Sequence, residues 1–181
     1  MKYHPFYRYH LLYCLFPLLL LACGDDNDDR GETFLRVTVD GTLDLEAVAP
    51  TAVYYESDRF LQIEATYVDD NSDSYAILLA ITPESGGELT TRQYATSGRC
   101  SNTALSPCVS AFYASGALGS AYAYRSTNTS YPGSVEINLD AYQESEDGYV
   151  SGTFSANVYD TNGELITLTD GVFNNLPLTL D

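Results

Sequence analysis

From Phe34 onward, apolar and polar residues alternate with a period of two, and clusters of Gly, Asp, Asn and Ser break the alternation roughly every ten residues. A period of two is the mark of strands that bury one face, because successive side chains point to opposite sides of a pleated backbone. No window of helical length sustains a 3.6-residue period. In FLRVTVDG, Leu35, Val37 and Val39 fall on one face and Arg36 and Thr38 on the other, and Asp40-Gly41 predicts a tight primed turn. LDLEAVA returns with Leu43, Leu45 and Ala47 inward, and Pro50 ends or bends that run. AVYYES and RFLQIEATYV form the next pair around Ser57-Asp58. Tyr75 to Ile81 is apolar on both faces, which predicts a central strand.

The last third repeats the pattern. VEINLDAY sends Val135, Ile137, Leu139 and Ala141 one way and Glu136, Asn138, Asp140 and Tyr142 the other. Asp147-Gly148 turns the chain. YVSGTFSANVY then sets Val150, Phe154, Ala156 and Val158 against Tyr149, Ser151, Thr153 and Tyr159, with Gly152 marking a bulge or a close approach. Asn162-Gly163 is a second hairpin signal, leading into ELITLTDGVF. About ten strands without an internal repeat predict one all-β domain over residues 34–181: an antiparallel β-sandwich, with a small up-and-down barrel as the alternative.

The first 33 residues follow a different logic. MKYHPFYRYH carries Lys2 and Arg8 and no acid, and LLYCLFPLLLLA follows as an apolar run too short to span a bilayer as a helix. Leu20-Leu21-Ala22-Cys23 resembles a lipobox, which predicts a signal peptide over residues 1–22 and diacylglycerol on Cys23. Two or more acyl chains hold a protein at a membrane durably, each buried methylene contributing about 0.8 kcal/mol. Residues 23–33 then comprise the lipidated cysteine and an acidic tether, GDDNDDRGE, with no apolar residue to fold around. Carboxylates just past the cysteine resemble an export signal of Bacteroidota lipoproteins, which implies an outer-membrane protein facing the cell exterior.

Cleavage before Cys23 changes the chemistry on offer. Both histidines, the only lysine and the only methionine depart, leaving six arginines against 25 acids. A Ser-His or Cys-His nucleophile needs an imidazole and a Schiff base needs an amine, so those mechanisms are excluded. Catalytic zinc lacks its usual ligands. So negative a surface repels phosphate backbones, which argues against nucleic-acid and nucleotide partners, and no cofactor is expected. Carboxylate chemistry, calcium and recognition by tyrosines survive this filter.

Five candidate sites follow. Cys100 and Cys108 enclose SNTALSP and predict a disulfide in an oxidising compartment. Asp69, Asn71 and Asp73 offer alternating oxygen ligands, but Ser74 stands where a calcium loop needs Gly and Ala80 where it needs Glu, which favours a plain hairpin turn. Asp160, Asn162 and Glu164 receive the same reading. Tyr122 and Tyr124 share a strand face, near Phe112 and Tyr113, and could stack on sugar rings, although packing across strands suits them equally. Glu144 and Glu146 sit in YQESEDG, which reads as a solvated turn.

The segment SGTFSANVYDTNGELITLTDGVFNNLPL, together with VDG at residues 39–41, resembles an uncharacterised family of Bacteroidota surface lipoproteins. SGTFS, a hairpin and then DGVFNN are the specific part, and the resemblance spans residues 34–178. Relatives carry a tryptophan soon after VDG, where this chain has Leu43-Asp44-Leu45. The resemblance implies location and fold, and no catalytic residue. The expected function is a non-enzymatic interaction module, held to the membrane by its lipid and touching a glycan or a surface protein. A carboxylate-based polysaccharide hydrolase and a purely structural envelope lipoprotein are the alternatives.

Overall fold

The computed structural model describes residues 31–47, 49–69, 73–85, 87–97, 107–116, 122–145 and 147–181; the leader, Cys23, the tether up to Arg30, Asn71, Cys100 and Glu146 lie outside them. The described residues form eleven strands and no helix: β1 (Phe34–Val39), β2 (Leu43–Ala47), β3 (Thr51–Tyr55), β4 (Phe60–Val68), β5 (Ser74–Thr82), β6 (Gln93–Ser97), β7 (Cys108–Gly116), β8 (Tyr122–Arg125), β9 (Ser134–Tyr142), β10 (Tyr149–Tyr159) and β11 (Leu165–Leu180). They hydrogen-bond in the order β2-β1-β11-β3-β4-β5-β7-β8-β10-β9-β6, with β11 also paired to β10. The expected all-β class holds.

This one sheet folds over itself into two layers. β3, β4, β5, β7 and β8 make one, and β2, β1, β11, β10, β9 and β6 the other. Contacts across the gap fix their facing: the Tyr67 hydroxyl of β4 donates to the Leu35 carbonyl of β1 at 3.3 Å. The Tyr54 and Tyr142 rings meet edge-on at 6.0 Å. Thr96 Oγ1 of β6 accepts the Val109 N–H of β7 at 3.0 Å. β11 joins the layers along one side, where Leu178 to Leu180 run parallel to Ala52 to Tyr54. On the other side β8 and β10 share a single residue pair, Arg125 and Tyr159, so the ring is partial and stops short of a barrel.

Between the layers lies the core that the alternation predicted. Leu35, Val37, Val39, Leu45 and Ala47 are buried from the first hairpin, as are Val135, Ile137, Leu139, Val150, Phe154, Ala156 and Val158 from the last. Each Val, Leu, Ile or Phe side chain so buried contributes roughly 1.5–3 kcal/mol. Asp40 and Gly41 both have positive φ, 49° and 66°, as the central residues of a primed turn require. The Thr42 N–H closes that turn on the Val39 carbonyl at 3.1 Å, one residue before Leu43 pairs with Val39. Asp40 Oδ1 then accepts the Thr167 N–H at 2.8 Å and ties that turn to β11. β5 is central, bonded to β4 on one side and β7 on the other. Only its inner face, Ile77, Leu79 and Ile81, is fully buried, while Ala76, Leu78 and Ala80 are half-exposed.

Two features depart from the simple alternation. Tyr142 was expected beside Glu136 and Asp140 on the polar face, yet it packs against the core. A bulge between Ser151 and Gly152, which pair with Ala141 and Leu139, leaves Asp140 as an extra residue and reverses the phase of β9 beyond it. The parallel pairing of β11 with β3 is the second, in a sheet otherwise antiparallel.

Candidate functional site

The long strand β11 bends at two places where a non-glycine residue takes positive φ, Asp170 at 52° and Asn175 at 49°. At each the ladder with β10 loses register. The first bend is packed from below. The Phe154 ring lies so close to Gly171 that a methyl group there would sit 2.5 Å from Phe154 Cε1, and only glycine fits. Gly152 is likewise pressed by the Asn138 carbonyl and the Phe173 ring, at 2.2 and 2.6 Å from the position of an added methyl. The expected close approach at Gly152 is thus present, together with its bulge. Asn174 Nδ2 donates to the Glu32 carbonyl at 2.7 Å, and the Thr33 hydroxyl donates to the Asn175 carbonyl at 3.1 Å. DGVFNN therefore both curves the sheet and fastens the segment entering β1.

Over the first of these bulges, at Asp170, lies a groove of about 910 Å³. Its floor is a row of opposed residues: Glu46 with Arg36, Arg36 with Val172, Val172 with Thr153, and Thr153 with Asn138. Asp44, Glu136 and Asp170 add carboxylates to its walls. The Thr38 hydroxyl holds Asp44 Oδ1 at 2.7 Å, and the guanidinium of Arg36 rests over the Phe34 ring at 5.2 Å. The groove thus presents carboxylates, an amide, hydroxyls and a braced cation to solvent, the set of groups that hydrogen-bonds hydroxyl-rich or peptide ligands. Sequence reasoning read these positions only as the solvated side of each strand.

The candidates named from sequence are placed elsewhere. Tyr124 points inward, 5 % exposed, with its ring tilted against Tyr113 at 5.9 Å, so it offers no face to a ligand. The side chain of Tyr122 lies outside the described residues. Asp69 and Asp73 close a turn on themselves, Asp73 N–H donating to Asp69 Oδ1 at 2.8 Å and Asp69 N–H to the Asp73 carbonyl at 3.0 Å. Asn71, the third member of that set, lies outside the described residues. Among the described residues no group of three His, Cys, Asp or Glu is placed to hold a metal ion.

Asp160 is buried at the Asn162-Gly163 hairpin, where its Oδ1 accepts the N–H groups of Glu164 and Asn162 at 2.7 and 2.8 Å. Its Oδ2 accepts Asn162 Nδ2 at 2.9 Å. Burial alone pushes the carboxyl pKa up; the bonds from Glu164 and Asn162 outweigh it and hold the group below its ordinary value. This is a turn-building carboxylate. Glu144 accepts the Tyr142 hydroxyl at 2.7 Å. Burial, then the hydrogen bond to Glu144, then its charge raise the Tyr142 pKa. Cys108 opens β7 opposite Thr82, while Cys100 lies outside the described residues. Comparison with protein-family models, with curated proteins and with solved structures gives no match for this chain.

Proposed function

We propose that the chain is a lipid-anchored, outward-facing lipoprotein of the outer membrane whose domain works as a non-enzymatic binding module, holding a glycan or a surface protein in the groove over β1, β2, β9, β10 and β11. The groove carries the reading: about 910 Å³ of open space with a mixed polar and apolar lining, shaped by the Asp170 bulge and the Phe154–Gly171 contact. Plain solvation of a strand face requires no such construction. The absence of imidazole and amine groups after Cys23 supports binding over turnover. The acidic residues following Cys23 support display at the cell surface.

The test is a glycan array and an envelope-protein cross-linking screen with the full-length protein, its Arg36→Ala and Glu46→Gln variants, and substrate-turnover assays on every hit. Binding that both variants weaken, without product release, supports the module. Product release that Glu136→Gln or Glu46→Gln abolishes favours the carboxylate hydrolase and overturns it. Intact-mass analysis of envelope material reads the anchor directly, as cleavage before Cys23 with acyl chains attached.

A further inference from the structure

On the outer face of the other layer, successive registers line up five residues from five strands. Leu78 of β5 opposes Phe112 of β7, Phe112 opposes Arg125 of β8, Arg125 opposes Tyr159 of β10, and Tyr159 opposes Leu165 of β11. Directly opposed residues share a face, with Cβ atoms about 4.5–5.5 Å apart. The row is therefore continuous across the corner where the layers meet. The Arg125 guanidinium lies 5.5 Å from the centre of the Phe112 ring, and Tyr159 stacks with Tyr131 at 6.3 Å and 28°. Gly163 makes room for Tyr131, since a methyl group there would sit 2.7 Å from the ring.

Three large apolar side chains are exposed among the described residues, and two of them, Tyr131 at 42 % and Leu165 at 43 %, flank Tyr159. Two grooves of about 460 and 330 Å³ adjoin here, and Arg125 and Thr127 line both. The larger is rimmed by the hydroxyl and amide groups of Thr127, Asn128, Ser130 and Thr161. Among the described residues no carboxylate pairs with Arg125, although the chain carries 25 acids. An exposed guanidinium held against an aromatic ring, with hydroxyls around it, is complementary to one kind of ligand. Aromatic faces take the apolar face of a sugar ring, and the guanidinium forks onto a carboxylate or sulfate with two parallel bonds.

We propose that this row is a binding site for an anionic saccharide, carboxylated or sulfated, with Arg125 receiving the acid group and Tyr131, Tyr159 and Phe112 the ring faces. The domain as a whole repels anions, but among the described residues Arg125 is the one charged side chain lining these two grooves. The site is independent of the acidic groove, and its test is separate. The full-length protein is titrated calorimetrically at fixed ionic strength with oligogalacturonate, a sulfated oligogalactan and neutral maltohexaose. One or both acidic probes bind, at least tenfold more tightly than the neutral one, and which of them binds identifies the acid group. Arg125→Gln and Tyr131→Ser each weaken that binding tenfold or more, with folding verified by circular dichroism. Arg59→Gln, which removes the same charge from the exposed turn between β3 and β4, leaves it intact. Equal binding of the neutral probe, equal loss in Arg59→Gln, or no binding of either acidic probe at millimolar concentration overturns the proposal.

Discussion

Gly171 lies directly against the ring of Phe154, and in the same strand pair the relationship is mirrored by Gly152 against Phe173, the two rings tilted at 6.5 Å from each other. This reciprocal pair is the physical content of SGTFS and DGVFNN, whose residues pair Gly152 with Phe173 and Phe154 with Gly171. Alanine at either glycine has nowhere to go, because the Asn138 and Phe154 carbonyls stand 2.2 and 2.6 Å from the added methyls. Gly171→Ala and Gly152→Ala are each expected to lose about 1–3 kcal/mol through overpacking, measured by urea unfolding. A Gly171→Ala variant as stable as the parent would show that the interlock is loose.

Asp160 makes the hairpin's stability pH-dependent with a definite sign. Its folded-state pKa lies below the unfolded value, so its contribution is fully present above about pH 4 and is lost as pH falls through the lower folded value. Asp160→Ala should therefore melt below the parent at pH 6, with the gap shrinking as pH drops toward 2. A gap that stays constant over that range contradicts the assignment.

Tyr67 acts at the opposite end of the scale. Burial, with the charge of Glu46 adding, raises its pKa above the ordinary 10.0. The fold thus favours the neutral phenol, and that stabilisation is present below about pH 10 and lost as pH climbs toward the folded value. Tyr67→Phe forfeits the hydrogen bond to the Leu35 carbonyl, about 1 kcal/mol at neutral pH. Above pH 10 the variant should close the gap on the parent, as read by denaturant midpoints at pH 7 and 10.5.

A bridge between Cys100 and Cys108 would close a short loop and stabilise the domain by about 2.5 kcal/mol on the loop-entropy estimate. Intact mass should rise by two protons on reduction, and Cys108→Ser should lower the melting temperature. Two thiols that alkylate without reductant exclude the bridge.

The inward set of each hairpin was legible because period two and turn chemistry are local: Leu35, Val37 and Val39, or Val150, Ala156 and Val158, needed no knowledge of their partners. Tyr142 was misread because alternation carries no mark of a bulge two residues earlier; Asp140 breaks the phase only because the register with β10 skips it. Tyr124 was left open between ligand and core, as tyrosine suits both, and its packing against Tyr113 depends on which face of β7 turns inward. Neither surface site was visible. Arg36, Thr153 and Asn138, like Phe112, Arg125 and Tyr159, become neighbours only through the strand order, joining residues far apart along the chain.

β11 bonds to β1, β10 and β3, so one late segment closes both layers. Until the chain through Leu180 has been made, the β1–β2 hairpin has no ladder to the rest of the sheet, and the β9–β10 pair is joined to β8 by a single residue pair. Such dependence on distant pairing slows folding. A stop codon placed before Leu165 would consequently leave β3 to β8 without the layer that covers their inner face, instead of yielding a smaller version of the domain.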